Sequence, residues 1–325
     1  MSKKKNTIKA LLLFSGGLDS ILATKILEDQ NIKVDLYSFT SFFFDETEAK
    51  QSAKILGKKL KIINLSKKHL KIVKKPDYGY GKGLNPCTDC HLLMIKEAKK
   101  IFKEKNYDIL VTGEVAGQRP MSQQSQQLKL IEKKAGLENK ILRPLSALIL
   151  DETKFEHDGL VDRKKLYGIS GRSRITQIKL AKKFKVKGYP LPAGGCILTE
   201  PIFAKNLKSI IDYKKIDATD IELLRAGRVF TDHETKIIIG RKFKENLKIN
   251  RLAKKDDILI EAKDIPGPLT IIRFYTKLNQ NEKNKIIKKA AKLTKHHSTK
   301  TRNLDKVKLC YWHKGNKKNC KLTYA

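Results

Sequence analysis

Ser15-Gly16-Gly17-Leu18-Asp19-Ser20 sits between an apolar run, residues 8–14, and a helically spaced stretch, residues 21–27. Read outward, this is a strand, a glycine turn and a helix start, a geometry that aims backbone N–H groups and a helix N-terminus at an anion. Two glycines let the backbone approach a phosphate closely, and the hydroxyls of Ser15 and Ser20 add donors. Ser15, Gly16, Gly17, Asp19 and Ser20 are therefore the expected nucleotide contacts. A carboxylate is a poor phosphate ligand, so Asp19 is expected to hold a Mg2+ ion bridging the phosphates of ATP. No Gly-Lys-Ser/Thr follows, so the loop is not a Walker A motif.

The pattern around this loop alternates. Residues 34–40, 61–65, 108–112 and 140–143 read as short buried strands, and residues 46–56 and 91–102 have helical spacing. Such alternation predicts an α/β fold with a doubly wound parallel sheet and ligands at the carboxyl ends of the strands. The glycine loop, residues 112–117 and residues 78–90 all fall at such ends. After Pro201 the pattern becomes β-rich, at residues 229–230, 236–240, 257–262 and 269–275, with Pro266-Gly267-Pro268 forcing a turn. The expectation is a domain over residues 1–200 and a second, smaller α+β domain over 201–325.

Seventy Lys and Arg against 34 Asp and Glu give a net charge of +36, enough to attract a polyanion, nucleic acid before a membrane surface. Residues 276–325 hold 15 Lys and Arg against 2 Asp and Glu and read as a basic tail. No run of 18 apolar residues exists, so no membrane span is expected. The lysines at 3–5 ahead of residues 8–14 imitate a signal peptide, but the apolar part is short and runs into the glycine loop, so a cytoplasmic location is expected.

Five cysteines, an odd number with two in Cys87-Thr88-Asp89-Cys90, fit a reducing compartment with metal or redox chemistry better than a disulfide framework. A CxxC at a helix start favours thiolate. Cys196, after Pro192-Ala193-Gly194-Gly195, is a third candidate at the same site. Cys87, Cys90 and Cys196 can hold three irons of a [4Fe–4S] cluster. They can also carry a persulfide without metal, or bind zinc with His91; Cys196 can equally be an ordinary buried thiol. Arg119, Arg143, Arg172 and Arg174 are candidates for phosphate contacts. Cys310 and Cys320 around Trp312 and His313 suggest zinc, or Tyr311 and Trp312 stacking on bases.

Ser15–Ser20 by its SGGxDS order resembles the PP-loop of ATP pyrophosphatases (adenine nucleotide alpha hydrolase-like). With Asn85-Pro86-Cys87-Thr88-Asp89-Cys90, Thr112-Gly113-Glu114-Val115-Ala116-Gly117-Gln118, Ser122-Gln123 and Leu142-Arg143-Pro144-Leu145, the first 200 residues resemble PP-loop tRNA sulfurtransferases, nearest the 4-thiouridine synthetase type and more distantly the 2-thiouridylases. The resemblance implies ATP-dependent tRNA thiolation: adenylation of a uracil carbonyl oxygen, then replacement by sulfur with release of AMP and pyrophosphate. It implies catalytic roles for Asp19, Cys87, Cys90 and Cys196, and nucleotide contacts at Thr40, Gly113 and Gln118. Its partners would be tRNA and a sulfur donor, sulfide or a cysteine desulfurase; homodimer formation is left open. The chain departs from the 4-thiouridine synthetases in having no THUMP-like region ahead of Ser15 and no evident rhodanese extension. Leu224-Arg225-Ala226-Gly227-Arg228, Ile239-Gly240-Arg241-Lys242 and Ile265-Pro266-Gly267-Pro268 resemble the RNA-binding domain of NFACT proteins, which would put RNA binding at the C-terminus. Two other functions stay open: a PP-loop small-molecule amide or nitrile synthase, whose fourth zinc ligand would have to be Cys310 or Cys320, and an RNA-binding protein that only senses nucleotide.

Overall fold

The apolar run ahead of the glycine turn forms β1 (Lys9–Leu13), in which Ala10, Leu11 and Leu12 are fully buried, as befits a parallel strand covered on both faces. The computed structural model describes residues 7–191, 196–213 and 216–325, in two compact units that divide between Thr199 and Glu200. The first continues through α1 (Leu18–Glu28), β2 (Lys33–Thr40), α2 (Thr47–Ile55), β3 (Leu60–Asn64), α3 (Ser66–Lys74), α4 (Cys87–Glu104), β4 (Ile109–Thr112), α5 (Ser125–Ala135), α6 (Lys154–His157) and α7 (Ile175–Lys183). Its four strands are all parallel, in the order β3-β2-β1-β4. The order reverses at β1. Right-handed crossovers then put helices on opposite faces, and a crevice opens beyond the carboxyl ends of β1 and β4.

Residues 140–143 do not form the expected strand. Leu142 makes a single parallel bridge to Val111, with its N–H donating to Leu110 O at 2.9 Å and its carbonyl accepting from Thr112 N at 3.0 Å. Pro144, which has no N–H, follows at once, and the Arg143 side chain is drawn into buried ion pairs.

The second unit runs through α8 (Pro201–Ile211), α9 (Ala218–Leu223), β5 (Arg228–Asp232), β6 (Thr235–Ile239), α10 (Phe243–Leu252), β7 (Ile258–Ala262), β8 (Thr270–Phe274), α11 (Gln280–His296), β9 (Lys308–His313) and β10 (Lys321–Tyr324). Six antiparallel strands lie in the order β10-β9-β7-β8-β6-β5. Strand alternation sends Ile237, Ile239, Ile260 and Ile272 into one core with Ile287, Ala290 and Ala291 of α11, and Ile238, Leu259 and Ile271 into the other with Ile249 of α10.

The last 50 residues are therefore no tail. An Asn279–Glu282 capping box opens α11, and β9 lies inside the sheet, between β7 and β10. Trp312 is buried in the α10-side core and is not presented for stacking on bases. Cys310 and Cys320 lie on the adjacent strand ends of the β9–β10 pair, 5.7 Å apart at Cα, and form a disulfide, so they supply neither zinc ligands nor the reduced thiols expected of them.

Candidate active site

The glycine loop leaves β1 and enters α1 as the sequence pattern requires, and Gly16 shows why it must be glycine. Its φ is +84°, and a Cβ there would lie 2.5 Å from the Ala49 backbone nitrogen. Packing against α2 is reinforced by Ser52 Oγ, which donates to Gly16 O at 2.7 Å. The serine hydroxyls are spent on the loop itself. Ser20 Oγ donates to Gly17 O at 2.8 Å and accepts from Gly16 N at 3.2 Å, and Ser15 Oγ accepts from Gly17 N. No side chain caps the start of α1, which leaves the helix N-terminus for an anion.

Asp19 stands in the first turn of α1. Gln118 Nε2 donates to its Oδ2 at 3.1 Å, whereas Oδ1 is buried without a partner. Burial raises the Asp19 carboxyl above its ordinary value, against the Gln118 hydrogen bond and the charges of Arg174 and Arg119. A buried carboxylate oxygen with nothing to bind, beside a helix N-terminus, fits a hard divalent cation, which would compensate the charge there. Thr40 and Gly113 sit differently from what nucleotide contacts require. Thr40 Oγ1 donates to Phe44 O, closing the turn after β2. Gly113 lies so close to the loop that a Cβ would be 2.7 Å from Ser20 Cα; it supports the loop by its smallness.

From Gly113 the chain runs to Gln123 and on to α5, and this segment ties the glycine loop to the start of α4. Beyond the Gln118–Asp19 bond, Ser122 Oγ accepts from Cys87 Sγ at 3.4 Å and the Met121 carbonyl accepts from Thr88 Oγ1 at 2.8 Å. Glu114 Oε1 meets His91 Nδ1 at 2.9 Å. Cys87 and His91, one helical turn apart, also face each other. Glu114 accepts from Thr112 Oγ1 at 3.0 Å and from Arg143 Nε at 3.0 Å, and Arg143 also pairs with Glu132. A buried relay thus runs Cys87–His91–Glu114–Arg143–Glu132.

Its charges are set by these contacts. Burial alone would raise the Glu114 carboxyl, but Arg143 and His91 hold it at about 2. Burial opposes the charge on His91, yet Cys87 and Glu114 lift it to about 9. Burial also works against the Cys87 thiolate, and the hydrogen bond and charge of His91 outweigh it, so this thiol lies below its ordinary value. Cys90 goes the other way, pushed up by burial and by the neighbouring Cys87 and Cys196 thiols; burial raises Cys196 as well. Glu114, Ser122 and the role of His91 were missed at the sequence level. The Cys87–His91 spacing was the one local signal, since Glu114 lies 23 residues further on.

The three-cysteine cluster does not find a ligand set here. Among the described residues no group of three or more His, Cys, Asp or Glu side chains is arranged to hold a metal ion. Cys87 turns to Ser122 and His91, while Cys196 Sγ turns to Asn85 Oδ1 at 3.6 Å. His91 is engaged by Glu114, which also removes it as a zinc ligand. Residues 192–195, expected to free Cys196, lie outside the described residues. Arg143 is 4% exposed and paired, so it meets no RNA phosphate; Arg119 and Arg172 are exposed and Arg174 is half-buried. No helix among the described residues is long and apolar enough to cross a membrane.

Residues 6–154 match the family described as thiamine biosynthesis protein (ThiI), and residues 227–325 match the NFACT protein RNA binding domain. A probable tRNA sulfurtransferase of Finegoldia magna is 31% identical over 143 residues, 43% of this chain and 36% of the relative, so the chain spans about a third of that relative's length. Two solved structures are similar at low TM-score. One is a 4-thiouridine synthetase–RNA complex with bound ATP, at 0.36 with 21% identity over 55% of this chain and 51% of that one. The other is the C-terminal part of the fibronectin/fibrinogen-binding protein of Streptococcus suis, at 0.26 with 16% identity over 46% and 67%. Neither superposition reaches a TM-score at which it bears on the fold, which rests on the sheet topology and the family matches. The chain joins a PP-loop domain of the ThiI family to an NFACT-type RNA-binding domain.

Proposed function

We propose that this chain is an ATP-dependent tRNA uridine sulfurtransferase whose first unit carries the chemistry and whose second unit binds the RNA. One observation carries the reading: a single segment, Gly113 to Gln123, hydrogen-bonds the PP-loop through Gln118–Asp19 and the thiol side through Ser122–Cys87 and Glu114–His91. A site for nucleotide activation and a site for sulfur are thus braced by the same loop, at the carboxyl ends of β1 and β4.

In this reading the α1 N-terminus and the loop amides hold the phosphates while a uracil oxygen attacks the α-phosphate and pyrophosphate leaves. Asp19 and Mg2+ would hold the polyphosphate, the ion supplying charge neutralisation for the leaving group. Adenylation matters because the uracil oxygen is otherwise a very poor leaving group. Sulfur carried on a thiol of the α4 start then takes its place and AMP departs. Cys87 is the suited carrier, since thiolate is the nucleophilic form and His91 favours it. The nitrile-synthase alternative loses its fourth zinc ligand, because Cys310 and Cys320 bind each other.

For tRNA the second unit offers the solvent face of α11, where Lys285, Lys288, Lys289 and Lys292 are exposed, together with its match to an RNA-binding family. The test is pyrophosphate release from ATP with and without unmodified tRNA, coupled to nucleoside analysis for thiouridine. The reading expects tRNA-stimulated release that Asp19→Asn abolishes. Asp19→Asn should melt no lower than the parent, because a carboxyl raised by burial costs stability when charged at neutral pH. Full activity in Asp19→Asn, or pyrophosphate release indifferent to tRNA, would overturn it.

A further inference from the structure

Gln177, one turn into α7, is completely buried, and neither its Oε1 nor its Nε2 has a hydrogen-bond partner. A buried amide left wholly unsatisfied is costly, so native structures keep one where something absent completes it. Its surroundings say what is missing. Helix α7 packs against α1, and the Gln177 amide is among the groups that favour the charged form of Asp19, whose Oδ1 is itself buried without a partner. Arg174, at the N-cap of α7, has a buried Nε with no partner. Arg174 and Arg119 both act electrostatically on Asp19, yet among the described residues neither forms an ion pair with it.

Two guanidinium groups face one carboxylate, and two helix N-termini without side-chain caps open in the same neighbourhood. The uncompensated quantity is positive charge, so the missing partner is an anion rather than a base or a sugar. The amide narrows this further. Nε2 donates, as a phosphate oxygen requires. Oε1 accepts, and no phosphate oxygen can satisfy it; a cation or a cation-bound water can. An amide with both valences open fits a phosphate together with its metal ion.

We propose that the start of α7 is the wall that receives the outer phosphates of the nucleotide with their Mg2+, with Gln177 and Arg174 as the residues that distinguish a triphosphate from a monophosphate. This rests on the ATP reading above and assigns its phosphate end to residues outside the PP-loop.

The experiment measures equilibrium binding of α,β-methylene-ATP with Mg2+, and of AMP, to the full chain and to Gln177→Leu and Arg174→Met. Loss of a hydrogen bond to a charged group corresponds to about a ten- to hundredfold weakening. Both variants should show that weakening for the triphosphate analogue while AMP binding stays within about twofold. Equal weakening for both ligands would mean that Gln177 only packs, and unchanged analogue binding would remove the wall from the phosphates; either overturns the inference. If Gln177→Leu gives no cooperative melt, Arg174→Met, altered at a half-buried helix cap, decides on the same two outcomes. Parent protein that fails to bind the analogue would overturn the ATP reading and this inference together. Parent binding with unaffected variants overturns the inference alone.

Discussion

Replacing Glu114 by glutamine keeps the shape of the buried relay and removes the charge at its centre. Three groups feel the change: His91 and Arg143, both bonded to Glu114, and Cys87, which His91 holds below its ordinary value. Breaking one partner out of a buried charge network costs about 3–5 kcal/mol. The pH dependence identifies the contact responsible. His91 has its pKa raised from 6.5 to about 9, so its contribution is fully present below about 6.5 and lost as pH rises through about 9. That shift corresponds to about 3 kcal/mol. Glu114 is lowered from 4.5 to about 2, so its contribution is present above about 4.5 and lost as pH falls towards 2. The His91–Glu114 contact is one interaction seen from both ends, and the two figures are not added. Urea unfolding followed by circular dichroism, with Trp312 fluorescence reporting the second unit as an internal control, should show Glu114→Gln less stable than the parent by about 3 kcal/mol near pH 6. The deficit should shrink on approaching about pH 9.5, leaving the Arg143 part. In a background with Cys90 and Cys196 replaced by serine, the alkylation profile of Cys87 should move to higher pH in the same variant. A stability deficit that stays flat across this range, or an unmoved thiol profile, would refute the relay.

Two further outcomes follow from packing. Gly113→Ala would place a Cβ 2.7 Å from Ser20 Cα and 2.8 Å from Ser20 N, both backbone atoms that cannot swing aside, so it should lower the melting temperature of the first unit and weaken ATP binding by displacing the PP-loop; normal affinity in a titration would contradict this. Truncation after Tyr275 removes α11, β9 and β10 and should abolish the cooperative unfolding of the second unit. Changing the exposed Lys285, Lys288, Lys289 and Lys292 to glutamine should leave it folded and flatten the salt dependence of tRNA binding, by about 0.7–0.9 in log–log slope for each phosphate left without its lysine. A stable truncated unit would overturn the first expectation, and an unchanged slope the second.

The first unit was legible wherever the signal was local. Apolar residues 8–14, two glycines and a helically spaced run fix β1, the loop and α1, because each step is decided within a few residues. The CxxC at a helix start was legible in the same way: Cys87 is the first residue of α4, and Asp89 anchors the preceding loop by accepting from Asp77 N and Tyr78 N. What lay beyond local reach was the use made of polar side chains. Arg143 looked like a phosphate ligand because arginine in a loop usually is free; it is taken by Glu114 and Glu132, which only the parallel sheet brings beside it. Ser15 and Ser20 looked like phosphate donors, and the turn consumes their hydroxyls first.

The basic C-terminal stretch was misread for a different reason, one of phase. Charge counted along the chain cannot tell a solvated tail from an amphipathic helix, since both hold the same lysines. In α11 the lysines at 285, 288, 289 and 292 are exposed, while Ile286, Ile287, Ala290, Ala291 and Thr294 are buried. These two sets interleave at the 3.6-residue period, so every lysine sits next in sequence to a core position and across the helix from it in space. The same holds at β9, where Leu309 is fully buried, and Cys310 and Trp312 are buried against the α10-side core with the half-buried Tyr311 between them. Taken as a string, that segment suggests metal ligands and stacking rings. Taken at period two, it is an interior strand with both faces covered, and its aromatic and sulfur side chains belong to the core. The net charge of this segment therefore describes one face of a folded domain, and that face is where an RNA backbone would meet it.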